Sequence, residues 1–245
     1  MRNVKPLIFG ETTRVPDVRT LYDMREVIAD KQWLKTAENF ELYYMYRELA
    51  RSKEELELMQ EFGLRYDITV IPPAKLGKEY IKTAGHYHPK IPKADISYSE
   101  IYQVLEGSAV YILQKAGGGL KIADVIAVEA QKGNIVFIPP DYGHITINRS
   151  EKVLKMANWV SRDFSSLYEP VRQFGGGAYF LLEEGFVRNP NYCFVPEIRR
   201  LEPKGAELLG LSKGEDMYEL VENLQALRFL KEPESLTCMF ETAYC

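Results

Sequence analysis

The three histidines of this 245-residue chain, His86, His88 and His144, fall into two short segments. Two belong to Gly85-His86-Tyr87-His88-Pro89, and the third closes Pro139-Pro140-Asp141-Tyr142-Gly143-His144. Histidines that only fill a core have no reason to gather in this way, whereas a metal site needs several neutral imidazoles converging on one point. If residues 83–88 run as a strand, alternation puts His86 and His88 on one face and Tyr87 on the other. Glu100 opens Glu100-Ile101-Tyr102-Gln103-Val104-Leu105-Glu106-Gly107, a run that reads as a strand ending at a glycine turn, and its carboxylate can supply a third ligand. His144 is the fourth, brought in by folding. Three nitrogens and one carboxylate suit one divalent first-row ion per chain, iron, manganese, nickel or zinc, with coordination positions left open, and exclude soft copper(I).

A second pattern surrounds the histidine pair. Lys75, Lys78, Lys82, Lys90 and Lys93 crowd residues 75–93 of a chain with a net charge of −4, and Thr83 and Gly85 sit just before His86. Lysine adds charge, threonine adds a hydroxyl donor, and glycine lets an anion approach a backbone N–H without a Cβ in the way. The pattern suggests an anionic substrate; the alternative is that the lysines merely solvate strand ends.

These motifs resemble those of the cupins, small β-barrels with a His-x-His, Glu, Gly first motif and a Gly, Pro, His, Asn second motif. Glu100 and Gly107 keep the spacing of the first, and Gly133, Pro139, His144 and Asn148 match the second. Two departures stand out. Asp141 replaces a glycine of the second motif, and residues 89–99 are inserted between His88 and Glu100, reading as a loop at the barrel mouth. The stretch Lys75-Leu76-Gly77-Lys78-Glu79-Tyr80-Ile81-Lys82-Thr83-Ala84-Gly85-His86-Tyr87-His88, with Thr69-Val70-Ile71-Pro72 before it and Glu100-Ile101-Tyr102 after it, is similar to the cupin-type glucose-6-phosphate isomerases. That resemblance covers residues 18–160. It implies a substrate-binding set of Tyr43, Thr69, Thr83, Gly85 and Tyr102, with Tyr44 and Tyr46 as rivals for the first. The tyrosine and histidine that follow the second motif in the family are not matched: Trp159 and Val160 stand there, and no histidine follows His144.

The chemistry implied is aldose-ketose isomerisation of glucose 6-phosphate and fructose 6-phosphate, in glycolysis or gluconeogenesis. A metal would act as Lewis acid on the C1 and C2 oxygens, with Glu100, His86 and His144 as the catalytic group. Hydrogen then moves either as a proton through a base, Glu100 being the nearest, or as a hydride. Two other classes fit the same ligands: a cupin dioxygenase or oxalate-type enzyme, and a non-catalytic sugar-phosphate-binding cupin.

The elements that must position these residues are mostly strands. Residues 66–71, 80–88, 100–105, 109–114, 121–128, 135–138, 145–148 and 153–160 form short apolar or alternating runs separated by glycine and proline turns. The expected fold is mainly β, a single cupin jelly-roll barrel (double-stranded β-helix) over 65–184. A region over 1–64 packs on it, with a helix over 18–34, a strand over 39–48 and a surface helix over 51–62. A C-terminal extension over 185–245 carries an amphipathic helix at 216–230, its stripe of Met217, Leu220, Val221, Leu224, Leu227 and Leu230 covering the barrel or a partner. Gly175-Gly176-Gly177 reads as a turn before a strand over 178–182, because no Lys-Ser/Thr follows it.

With 46% hydrophobic residues the chain can bury a full core. Cys193, Cys238 and Cys245 are odd in number and far apart, which fits a reducing compartment and no disulfide framework. The acidic balance argues against nucleic acid as a partner, and no apolar run is long enough for a membrane span. The expectation is a cytoplasmic homodimer with a sugar-phosphate substrate.

Overall fold

The computed structural model describes residues 6–212 and 214–232. In chain order the strands are β1 (Leu7–Phe9), β2 (Thr12–Arg14), β3 (Asp17–Thr20), β4 (Glu41–Tyr46), β5 (Leu64–Ile71), β6 (Lys75–Leu76), β7 (Glu79–Tyr80) and β8 (Glu100–Glu106). They continue as β9 (Ser108–Ala116), β10 (Ile122–Gln131), β11 (Ile135–Ile138), β12 (Tyr142–Ile147), β13 (Leu154–Ser161), β14 (Tyr179–Leu182), β15 (Gly185–Arg188) and β16 (Arg199–Leu201). The α-helices are short: α1 (Lys31–Leu34), α2 (Lys53–Glu61), α3 (Glu169–Arg172) and α4 (Gly205–Leu208).

Two sheets form the body of this mainly β, jelly-roll fold. One is antiparallel, in the order β11-β8-β13-β5-β4-β3, and the other runs β12-β9-β10-β16. Strands β8, β5 and β13 are buried on both faces, yet they mix apolar residues with buried polar ones, among them Asp67, Thr69, Glu100 and Asn158. Period-two alternation sorts them: Tyr102, Val104 and Met156 join the core shared with Tyr111, Leu113 and Ile126 of the second sheet. Ile101, Ala157, Trp159, Tyr66 and Ile68 face the opposite way, into a second core. Each large side chain buried this way contributes roughly 1.5–3 kcal/mol.

That second core is closed by residues Met217–Leu230, which form a 3-10 helix and not the α-helix expected. The stripe itself suits the tighter winding: Val221, Leu224, Leu227 and Leu230 are spaced by three, the 3-10 repeat, and the run is interrupted at Asn223. All six stripe residues are buried within the chain. Asp216 caps the start by accepting the N–H of Tyr218.

The helix expected over 18–34 is not formed. Residues 17–20 pair with β4 as an edge strand, a single 3-10 turn covers Tyr22–Met24, and only α1 is α-helical. The apolar positions Leu21, Met24 and Ile28 are buried as their spacing suggests, but the backbone is satisfied from elsewhere. Glu79 accepts the N–H of Ala29 at 2.8 Å, and Lys82 donates to the carbonyl of Val27 at 2.8 Å. Described residues from both flanking regions join the sheets, through β3 and β4 and through β16, which pairs in parallel with β10. Helix α2, capped by Ser52, and strand β14 lie where the sequence puts them.

Candidate metal centre

The segment that carries His86 and His88 is extended but is not the continuous strand expected over 80–88. After β7 it makes only isolated bridges, Lys82 to Ile147, His86 to His144 and Tyr87 to Leu167. Gly85 interrupts it with φ +77°, and a Cβ there would lie 2.6 Å from Ile145 Cγ1. Past that break, His86 and His144 exchange two backbone hydrogen bonds, of 3.3 and 3.0 Å, which brings their rings together edge to face with centroids 4.3 Å apart. Glu100 enters at the start of β8, opposite Val160 of β13. The result is a group in which one ligand atom each from His86, His88, Glu100 and His144 lies within 4.8 Å of the others.

The chemistry of this group fits a cation. Glu100 Oε1 accepts the Asn158 Nδ2–H at 2.7 Å, which leaves Oε2 directed at the Nε2 atoms of His88 and His144, 3.3 Å from each. Oε2 is buried without a hydrogen bond. Burial, reinforced by the neighbouring His144 and His88, holds His86 well below the usual imidazole range, and burial pushes His144 down to about 4. Burial raises Glu100, but the adjacent His88 and His144 imidazoles and the charge of Arg65 outweigh it, leaving the carboxyl below its ordinary value. His144 cannot be both a full cationic partner of Glu100 and held neutral by burial; at neutral pH burial decides. Lone pairs of neutral imidazole and of carboxylate then face one point, an arrangement that a divalent ion relieves.

Supporting contacts orient the ligands. His88 Nδ1 lies 3.0 Å from the carbonyl of Tyr98, inside the inserted loop, so Nδ1 carries the proton and Nε2 is left as donor to a metal. The Tyr102 hydroxyl is 3.2 Å from His144 Nε2, whereas His144 Nδ1 is buried without a partner.

The group opens into a cavity between the two sheets. Tyr43, Thr69, Thr83, Gly85 and Tyr102 all line it. Thr83 Oγ1 accepts the N–H of Thr146 at 3.0 Å, leaving its own hydrogen for a ligand. The rivals Tyr44 and Tyr46 are on the other side, in or against the second core.

The lysines do not contribute. None of the five lines the cavity. Lys75 and Lys90 form exposed ion pairs with Glu183 and Asp95, Lys78 and Lys93 are exposed, and Lys82 is buried against Glu79. Cationic groups come instead from Arg47 and Arg65, both paired with the buried Asp67. Period two would have found them: with Thr69 facing inward, Asp67 and Arg65 share its face, as Arg47 shares that of Tyr43. Cys193 is exposed and free, and Cys238 and Cys245 lie outside the described residues. Among the described residues no helix is long and apolar enough to cross a membrane.

The family model described as glucose-6-phosphate isomerase (GPI) matches residues 18–196. The chain belongs to that family. A glucose-6-phosphate isomerase of Thermococcus litoralis is 31% identical over 171 residues, 69% of this chain and 82% of that protein. The glucose-6-phosphate isomerase of Pyrococcus furiosus is 28% identical over 178 residues, 71% of this chain and 87% of that protein. Among solved structures, oxalate decarboxylase from Bacillus subtilis matches with a TM-score of 0.37 and 14% identity, covering 51% of this chain and 27% of that one, too low a likeness to carry an argument. In this member of the glucose-6-phosphate isomerase family, the four residues that could hold an ion and the hydroxyl-lined cavity share one continuous space.

Proposed function

We propose that this protein is a metal-dependent isomerase that interconverts glucose 6-phosphate and fructose 6-phosphate. The observation that carries the reading is that one cavity holds both the His86, His88, Glu100, His144 group and the Thr83-Ala84-Gly85 turn. Lewis-acid polarisation of the sugar's C1 and C2 oxygens is what a bound ion would supply. The rest falls to the chain. Thr83, the Gly85 backbone, Tyr43 and Thr69 bind the phosphate, and Tyr102 contacts the sugar near His144. Glu100, His86 and His144 form the catalytic group, with hydrogen passing between C1 and C2 beside them. If Glu100 is also the base, it must act through Oε1 while still held by Asn158, because Oε2 belongs to the ligand cluster.

The reading extends to a cytoplasmic, glycolytic or gluconeogenic enzyme that works as a homodimer. Supporting a dimer, the six-stranded sheet ends at β3, and Val15 beside it exposes 65% of its surface.

The test is fructose 6-phosphate turnover before and after chelation, and after separate addition of iron, manganese, nickel or zinc. Activity lost on chelation and restored by an added ion is the expected result. Folded, metal-loaded protein that turns over no fructose 6-phosphate with any ion would sink the reading.

A further inference from the structure

Arg19 lies on β3, the edge strand of the six-stranded sheet, directly across from Tyr43 of β4. Tyr43 is buried, and its phenol oxygen accepts the N–H of Ala84 at 3.3 Å. The register puts the Arg19 side chain beside that of Tyr43, where its charge acts on the phenol, and the guanidinium sits over the ring of Tyr168, 5.6 Å from its centroid. Tyr43 and Tyr168 both line the cavity; Arg19 itself does not. Arg47 and Arg65, which do, already share the carboxylate of Asp67, whereas Arg19 Nε is buried with no hydrogen-bond partner.

A phenol oxygen has two lone pairs and one hydrogen. The Ala84 amide presents its N–H to one lone pair, and the positive charge of Arg19 sits on the β3 side of the same phenol, so the hydroxyl hydrogen points away from both, and the side left to it is the cavity next to Thr83 and Gly85. Burial, opposed by Arg19, keeps the Tyr43 hydroxyl protonated above the usual tyrosine range. Tyr43 then meets its ligand as a donor. A phosphate oxygen, which only accepts, suits such a donor, whereas a sugar hydroxyl must also place its own hydrogen.

We infer that Arg19 is a positioning residue for phosphate recognition: it commits Tyr43 to donate into the Thr83-Ala84-Gly85 turn and adds positive charge behind that contact. The inference rests on the isomerase reading above for the identity of the substrate, but the preference for a phosphate group can be read without turnover.

The experiment compares the metal-loaded wild type with Arg19→Gln, Arg19→Lys, Tyr43→Phe and the Arg19→Gln/Tyr43→Phe pair, using two readouts. In steady state, Arg19→Gln should raise the KM for fructose 6-phosphate about 10–100-fold, as expected for loss of a charge-assisted hydrogen bond, with kcat changed less than about twofold. Arg19→Lys should recover part of the loss, and adding Tyr43→Phe to Arg19→Gln should cost little more, because both act through one contact. Separately, inorganic phosphate should raise the Tm of the wild type and fail to do so for Arg19→Gln, whose unliganded Tm shows that it is folded; should Gln fail to fold, Arg19→Lys carries both measurements. Unchanged KM with unchanged phosphate protection, or fully additive losses in the double variant, would overturn the inference. Arg19-dependent phosphate protection in a protein that does not turn over fructose 6-phosphate would uphold the role of Arg19 and reject the isomerase reading alone.

Discussion

Ser97 and Asp141 exchange two hydrogen bonds: the N–H of Ser97 donates to Asp141 Oδ1 at 3.1 Å, and the N–H of Asp141 donates to Ser97 Oγ at 2.7 Å. The two departures from the cupin motifs are thereby joined. Asp141, standing in for glycine, adopts φ +66°, the left-handed conformation for which glycine is the usual choice, and Ser97 belongs to the inserted loop. The side chain that makes Asp141 costlier than glycine in that turn is the one that pins the insert, whose next residue, Tyr98, holds His88 through its carbonyl.

Asp141→Ala should therefore be worse than Asp141→Gly. Alanine keeps the strain of positive φ and loses the Oδ1 contact to the Ser97 N–H, a cost of about 1–3 kcal/mol, whereas glycine loses the same contact but removes the strain. Both variants should be cut faster by protease within residues 89–99, and both should bind metal more weakly than wild type. Urea titration gives the ranking. Equal stability of the two variants would show that the turn carries no strain.

Asn158 offers a second test of how the ligands are held. Its Nδ2–H on Glu100 Oε1 selects the oxygen that faces the histidines. Asn158→Leu should lower metal affinity by about 10–100-fold, the usual range for loss of a contact that orients a ligand. Competition with a chromophoric chelator measures this directly, independent of activity. Unaltered affinity would mean that packing alone orients Glu100.

Much of this site was legible in the sequence, for a physical reason. Metal ligation needs particular side chains, and so few histidines were available that their clustering was informative; strand limits followed from alternation and turns, as for residues 135–138. The errors arose where distant side chains override local pattern. Residues 27–29 have helix-like spacing, yet their backbone is satisfied by Glu79 and Lys82, some fifty positions away. The lysines of 75–93 show why charge along a segment does not reveal direction: Lys82 is buried in an ion pair while its neighbours point to solvent, and the cavity's cations are Arg47, just after β4, and Arg65 of β5. Arg19 lies within the stretch misread as a helix, so its place opposite Tyr43 was not visible until β3 was seen to join the sheet.

His144 and His86 make acid a specific weakness of the metal-free protein. In the unfolded chain they take up protons near pH 6.5, whereas folded His144 does so only near 4 and folded His86 lies well below its usual range. Between those values the unfolded state binds more protons, so the stability these groups contribute is present above about pH 6.5 and is lost as pH falls through that window. Chelated protein should lose up to about 1.4 kcal/mol per pH unit for each such histidine in urea titrations from pH 7 toward 5. A His144→Gln variant should show a shallower slope. An unchanged slope would mean that His144 contributes nothing to it.

The 3-10 segment Met217–Leu230 lies on the far side of the six-stranded sheet from the metal ligands, and its effect should be on stability without effect on chemistry. Trp159 Nε1 donates to the carbonyl of Met217 at 2.9 Å, and Tyr218 lies edge-on to Tyr66 at 4.8 Å, so the segment covers the outer faces of β5 and β13 directly. The inner faces of the same strands carry Thr69 and Asn158 into the cavity. Leu227, with no exposed surface, should cost about 2–5 kcal/mol when replaced by alanine, and the exposed Glu222 on the same segment about 0.5 kcal/mol or less. At a temperature where both variants are folded, metal content and turnover should match wild type, because the sheet separates the two faces. A drop in kcat for folded Leu227→Ala, with full metal content, would show instead that packing of the outer core sets the geometry of Glu100 through β8 and β13.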